Sequence, residues 1–99
     1  MFRAVAGEAL TRWVTVYDEG EKVNVFSSSA SARKPSGAIA AVTSAEEDQE
    51  DNRGVIRLNI ASSALNEVGQ WMIELTVNGE HIEEPIPLFV RAEYERGRR

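Results

Sequence analysis

The only histidine, His81, is the first candidate for catalysis, because nucleophilic mechanisms need a base beside the attacking group. The chain has one histidine and no cysteine. His81 follows the turn signal Asn78-Gly79, and we expect it on the solvent side of a short strand or at an interface. The serine run at 27–29 belongs to no hydrolase or phosphate-binding motif. The sequence therefore predicts no catalytic residues and no enzyme.

Paired carboxylates are the second possible source of chemistry. Glu83 and Glu84 are adjacent, and so are Asp18 and Glu19. Neighbouring residues on a strand point to opposite faces of the sheet, so neither pair can act on one substrate as a glycosidase requires. The spacing thus argues against hydrolysis by two carboxylates.

An acidic run, Glu46 to Asp51, is the third feature with chemical potential. Alternating carboxylates and an Asn at position 52 give a faint likeness to the start of a calcium loop. The glycine comes at position 54, however, and Asn59 stands where that loop needs a glutamate. We expect no metal and no cofactor here, but a solvated loop or an acidic patch that meets a basic partner.

Both ends of the chain offer residues for contacts with other molecules. The formal net charge is −5, yet four arginines lie between positions 91 and 99. Such an asymmetry favours a solvated tail or docking onto an acidic neighbour. Nucleic acid is an unlikely partner, because the protein is acidic and only one aromatic residue accompanies these arginines. The predicted interface residues are Phe2, Arg3, Val5, Tyr94, Arg96, Arg98 and Arg99.

The length of 99 residues predicts a single domain, held together by apolar burial and backbone pairing because disulfides are impossible. No segment approaches the ~20 apolar residues of a membrane span. The first eight residues contain no apolar run of signal-peptide length, so we expect neither membrane insertion nor export.

Two segments show the clean alternation of a strand with one buried face. Residues 71–77 end in Asn78-Gly79, a strong hairpin signal, and residues 55–60 alternate apolar with polar side chains. Trp71 is expected at the centre of the core. Residues 61–69 read as a short helical turn between strands.

The other strands are predicted from composition and turn signals. Residues 10–17 and 22–26 are expected to form a hairpin around Gly20, and residues 38–43 form an alanine-rich strand. The last strand, residues 80–90, contains Pro85 and Pro87 and so lies at an edge or is interrupted.

These elements predict an all-β fold: an immunoglobulin-like β-sandwich of about seven short antiparallel strands without a disulfide, with a small β-barrel as the alternative. Residues 1–10 are an N-terminal arm or first edge strand. Residues 11–91 form the sandwich, and residues 92–99 a charged C-terminal tail.

The order of turns and strands resembles a known family. The matching features are the Asp-Glu-Gly turn at 18–20, Lys-Pro-Ser-Gly at 34–37, Gly-Val-Ile-Arg-Leu at 54–58, Gly-Gln-Trp-Met-Ile-Glu-Leu at 69–75 and Glu-Pro-Ile-Pro-Leu-Phe-Val at 84–90. Over residues 11–91 the chain is similar to the small immunoglobulin-like domains of tailed-phage virion proteins, such as the N-terminal domain of baseplate upper proteins. The alanine-rich third strand and the arginine-rich end depart from that pattern.

The resemblance implies a non-enzymatic structural or assembly protein of a bacteriophage tail, baseplate or head. Such a protein binds copies of itself and other virion structural proteins, forms a homo-oligomer within a symmetric assembly, and is located in the virion after assembly in the host cytoplasm. The alternative is a ligand-binding or adhesion module for carbohydrate, or one that depends on calcium. In that module the acidic loop and the aromatic residues Trp13 and Tyr17 would recognise the ligand.

Overall fold

Strands form where β-branched and aromatic residues alternate with polar ones, as in residues 55–60 and 71–77. A computed structural model describes residues 2–92 of the chain. Seven strands of four or more residues build the described part: β1 (Phe2–Val5), β2 (Leu10–Thr15), β5 (Ser28–Arg33), β6 (Ile39–Glu46), β7 (Val55–Ile60), β8 (Gly69–Val77) and β10 (Ile86–Arg91). Three two-residue strands extend the turns: β3 (Tyr17–Asp18), β4 (Glu21–Lys22) and β9 (Glu80–His81). A 3-10 turn spans Ser62–Ala64.

The strands pair in the order β1-β10-β8-β5-β6-β7-β2. Strand β6 belongs to both layers, because its residues 39–42 pair with β5 and its residues 43–46 pair with β7. This shared strand closes one side of the sandwich. On the opposite side the edge strands β1 and β2 remain separate, and the Arg12 guanidinium donates a hydrogen bond of 3.1 Å to the Arg3 carbonyl across the gap. The sandwich is therefore closed along β6 and open between β1 and β2.

The core lies between the two layers and is centred on Trp71, as predicted. Trp71 is fully buried, and its indole nitrogen donates a hydrogen bond of 3.0 Å to the Glu67 carbonyl. Inward-facing residues of every long strand surround it, including Ile56, Ile60, Ile73, Leu88 and Val90. The prediction of an all-β sandwich is confirmed for the described residues, and the 3-10 turn lies within the segment expected to form a short helical turn.

The pairing of the N-terminal strand differs from the prediction. Strand β1 runs parallel to β10, with Phe2 beside Leu88, so one pair in the sandwich is not antiparallel. Residues 2–5 thus form an edge strand, the second of the two states predicted for the N-terminal segment.

The predicted hairpin between residues 10–17 and 22–26 forms only next to Gly20, where Tyr17 pairs with Lys22 and the Val23 amide donates to the Val16 carbonyl at 3.0 Å. Strand β2 pairs with β7, and only the short β3–β4 ladder surrounds Gly20. Residues 23–26 lie in no strand. The reason is that the Val25 amide donates its hydrogen bond of 2.9 Å to the Gln49 side chain rather than to a neighbouring strand.

The alanine-rich segment does form a strand, β6, which continues to Glu46 and so includes the first residue of the acidic run. The last predicted strand is interrupted: β9 ends at His81, and β10 begins at Ile86 beyond Pro85. No helix within residues 2–92 has the length and apolarity needed to cross a membrane.

Candidate binding cleft

An apolar cleft of about 410 Å³ lies along the open side of the sandwich. One wall is the end of β2 and the start of β3, and the other is formed by β1, β8, Ile82 and the start of β10. The lining is largely hydrophobic, and it consists of Phe2, Trp13, Val14, Thr15, Val16, Tyr17, Leu75, Ile82 and Ile86.

A smaller recess of about 160 Å³ continues the cleft towards the β8–β9 turn. The two hollows share Val16, Tyr17 and Ile82. Asp18 and Glu80 line the recess. The cleft therefore leads from an apolar groove into a hollow with an acidic rim.

The cleft is open because the strands that border it have no further partner along the open side. Within residues 2–92, strand β2 pairs only with β7, and β1 only with β10. The unpaired backbone groups of an edge strand are ready to pair with another extended chain. Pro85 interrupts the chain before β10, so the return strand of the Asn78-Gly79 hairpin covers only the end of β8.

Tyr17 is the most exposed aromatic residue of the cleft, with 58% of its surface accessible. It begins β3, and the backbone around it is anchored because the Val16 amide donates to the Gly54 carbonyl at 2.8 Å. Phe26, 73% exposed, lies at the same end of the sandwich, where its amide donates to the Asn78 side chain at 2.8 Å. Exposed aromatic rings beside an apolar hollow are typical of protein-binding surfaces.

Trp13 borders the cleft and is also held on the outer face of the β2–β7 pair. Its indole nitrogen donates a hydrogen bond of 2.9 Å to the Glu47 carboxylate. The Arg57 guanidinium lies 3.6 Å from the same carboxylate oxygen, and Arg57 is the cross-strand neighbour of Trp13. Because 55% of Trp13 remains exposed, this arrangement fixes the ring without covering it.

The acidic run is organised by Gln49, which the sequence did not single out. The Gln49 side-chain oxygen accepts hydrogen bonds of 2.9 Å from the Val25 and Gly54 amides. Its amide nitrogen donates to the Glu47 carbonyl at 2.7 Å. No group of three histidine, aspartate or glutamate side chains within residues 2–92 is arranged to hold a metal ion.

His81 lies at the surface with two serines that are remote in sequence. It lines a shallow hollow of about 140 Å³ together with Ser29, Ser31 and Glu74. Strand pairing brings these residues near each other, which the sequence did not predict. The histidine and the two serines thus share one hollow at the surface of the first four-residue stretch of β5 and the β8–β9 hairpin.

The predicted interface residues fall into two groups. Phe2 and Val5 are half-buried in β1, Phe2 lines the cleft, and Arg3 is exposed between them. Tyr94, Arg96, Arg98 and Arg99 lie outside the described residues.

Fold and cleft together define a small β-sandwich domain with one open side. The sequence matches no family model and no curated protein. Among solved structures, it is similar to part of the amylomaltase from Corynebacterium glutamicum, with a TM-score of 0.64 and 17% identity. The match covers 97% of this chain but only 13% of the amylomaltase. At this identity the similarity shows a shared fold.

Proposed function

We propose that the chain is a non-enzymatic structural module that binds other protein chains, as a component of a phage tail, baseplate or head. Its partners are copies of itself and neighbouring structural subunits. The observation that carries this proposal is the apolar cleft between β1 and β2, two edge strands that have no further strand partner among residues 2–92. A protein partner can satisfy such a surface by adding a strand to an edge and placing apolar side chains in the cleft.

The energetics of the cleft support a protein partner. Each large apolar side chain transferred from water into it is worth about 1.5–3 kcal/mol. Association and the ordering of side chains offset a large part of that gain. One cleft therefore gives modest affinity, and a repeated assembly multiplies it through avidity. This suits a module that occurs in many copies.

The assignment to a virion rests on the resemblance of residues 11–91 to immunoglobulin-like domains of tailed-phage proteins. The edge strands β1 and β2 and the exposed aromatic residues are consistent with it. Mass spectrometry of purified particles from a phage that encodes the chain tests the location. The proposal expects the chain in stoichiometric amounts with other structural proteins, and its absence from intact particles would contradict the location.

Replacing Tyr17 with alanine tests the role of the cleft. We expect the variant to bind particles that lack the chain at least about 10-fold more weakly, equivalent to about 1.4 kcal/mol. Tyr17 is mostly exposed, so the fold should tolerate the change. Thr43→Ala, on an exposed position of β6, is the matched control and should bind normally. Equal binding by both variants would show that partners do not use the cleft.

A saccharide-binding module is the second candidate, and the exposed, anchored ring of Trp13 favours it. An aromatic ring beside Glu47 and Arg57 offers a stacking surface with hydrogen-bonding groups at its side. This candidate predicts saccharide binding that Trp13→Ala abolishes and Tyr17→Ala leaves intact, measured by calorimetry. If adhesion depends on calcium, light scattering after chromatography should show a metal-stabilised monomer, whereas the structural module forms defined oligomers without calcium.

A further inference from the structure

Strand β1 is the most weakly attached of the seven long strands. It has four residues, and among residues 2–92 it pairs with β10 alone. This pair is parallel, whereas the other ladders of the described residues are antiparallel. Parallel pairing is slightly less stable per residue. Of its side chains Ala4 is buried, and Phe2 and Val5 are half-buried. Detaching β1 therefore disrupts less of the sandwich than detaching any other long strand.

The turn at residues 6–9 joins β1 to β2 and has the features of a hinge. The Ala6 amide donates to the Arg91 carbonyl at 2.9 Å, and the Gly7 amide donates to the Leu65 carbonyl at 2.8 Å. Residues 7–9 are exposed, and the glycine at position 7 can change its backbone angles more freely than other residues can. Fully extended, four residues span roughly 14 Å. Straightening of this turn can therefore carry β1 to a copy that lies beside the open side of the sandwich.

The Arg12 guanidinium holds β1 near β2. One of its nitrogens donates to the Thr11 carbonyl at 2.7 Å, and another donates to the Arg3 carbonyl at 3.1 Å. This side chain thus binds one carbonyl from each of the two edge strands. Because Arg12 is exposed, water competes for these hydrogen bonds and their net contribution to stability is small. Arg12 therefore has the position of a latch that holds β1 in place but can open.

We propose that copies of this chain exchange β1, so that residues 2–5 of one copy lie beside β10 of a second copy. The place beside β10 is complementary to this segment, because it holds the same segment within one chain, with Phe2 beside Leu88 and Ala4 beside Val90. A second copy carries an identical segment, so the same contacts form again between chains. This inference rests on the proposed function, because copies must meet, and it names the segment that joins them.

Exchange of β1 suits a module that occurs in many copies. The contacts of β1 are the same within a chain and between chains, so exchange costs mainly the freedom of two separate molecules. A high local concentration of copies offsets that cost. Two copies can exchange β1 with each other, or each can pass it to the next to form a ring or a filament. Phe2 lines the cleft, so each cleft in an exchanged assembly is built from two copies.

An engineered cysteine pair tests the exchange, because the chain contains no cysteine of its own. Arg3→Cys with Phe89→Cys places thiols on neighbouring residues of β1 and β10. Adjacent strands lie about 4.8 Å apart, within the Cα separation that a disulfide needs. Val5→Cys with Arg91→Cys, a second pair of the same ladder, serves if circular dichroism shows that the first variant does not fold.

Oxidation of a concentrated mixture of ¹⁵N-labelled and unlabelled variant chains shows which copy supplies β1. In the associated fraction, mass spectrometry should find disulfides that join labelled to unlabelled chains. Ser31→Cys with Ala41→Cys, on neighbouring positions of β5 and β6, is the matched control and should link only within a chain. Disulfides confined to single chains, or a chain that stays monomeric when concentrated, would overturn the exchange.

Oxidation of the dilute variant before it is concentrated should lock β1 in its own chain. We expect this lock to weaken self-association at least about 10-fold, as measured by sedimentation, and a reductant to restore it. The control pair on β5 and β6 should have no such effect. Association that is unchanged by the β1 lock would contradict the exchange.

Arg12→Ala tests the latch. Loss of its hydrogen bonds should make disulfides between chains form about 5-fold faster in the cysteine variant. Arg33→Ala, on an exposed position of β5, removes the same charge and should leave the rate unchanged. An unchanged rate in Arg12→Ala, or equal acceleration by both substitutions, would overturn the role of Arg12. Binding of the chain to particles tests the proposed function separately: particle binding with disulfides only within chains rejects the exchange alone.

Discussion

Replacing Trp71 with alanine is expected to lower the free energy of unfolding by about 3–5 kcal/mol, the largest effect of any single change considered for this fold. Trp71 is fully buried and lies directly beside Leu88 on the neighbouring strand. Lys34 covers it from outside, with the ammonium 5.6 Å from the ring centroid. The substitution removes these contacts and leaves a cavity between the layers. A domain of this size has total stability of only about 5–15 kcal/mol, so the variant should be largely unfolded at moderate temperature.

Urea denaturation followed by circular dichroism measures this loss. Trp71→Phe should cost less, about 1–3 kcal/mol, because it keeps most of the packing and leaves the Glu67 carbonyl without its donor. Trp13→Ala removes the other, exposed tryptophan and should change stability little. A Trp71→Ala variant as stable as the Trp13→Ala variant would contradict the described core.

Gly54→Ala is expected to destabilise the fold by roughly 2–4 kcal/mol, the second largest effect. Gly54 has a φ of 85°, which residues with a Cβ rarely adopt. A Cβ there would also lie 2.8 Å from the Val16 carbonyl oxygen, so the backbone must shift. The shift disturbs the hydrogen bonds that Gly54 makes with the Val16 amide and the Gln49 side chain.

Gly37→Ala is the matched control for the backbone conformation alone. Gly37 has a φ of 96°, but no atom lies within 4 Å of the added Cβ. This variant should lose only about 1–2 kcal/mol by the same denaturation measurement. Equal losses at both positions would mean that the close approach to Val16 contributes nothing.

The central strands could be predicted from the sequence because their alternation reflects burial directly. In β8, the alternating residues Trp71, Ile73, Leu75 and Val77 are buried and the residues between them are half-buried. The partner of β2 could not be predicted in this way, because pairing depends on which strands meet in three dimensions. Gln49 escaped notice for a similar reason: a polar residue in an acidic run gives no sign that two distant amides donate to it.

The candidate site was predictable only in part. Phe2, Trp13 and Tyr17 were singled out as aromatic or N-terminal contact residues, and the structure brings all three to the cleft. The other residues of the wall opposite Trp13 and Tyr17, which are Leu75, Ile82 and Ile86, could not be foreseen, because their position depends on β1 and β2 being the edge strands of the described sandwich.

Photo-crosslinking from position 17 within assembled particles tests the binding cleft most directly. A benzophenone amino acid in place of Tyr17 keeps an aromatic side chain at the junction of cleft and recess. The account predicts a covalent link to a second copy or to another structural protein. The same label at Thr43, on an exposed position of β6, should give little product. Two results would contradict the assignment of the cleft as the binding site. One is an equal yield from both positions, and the other is a set of crosslinks that all lie within a single copy of the chain.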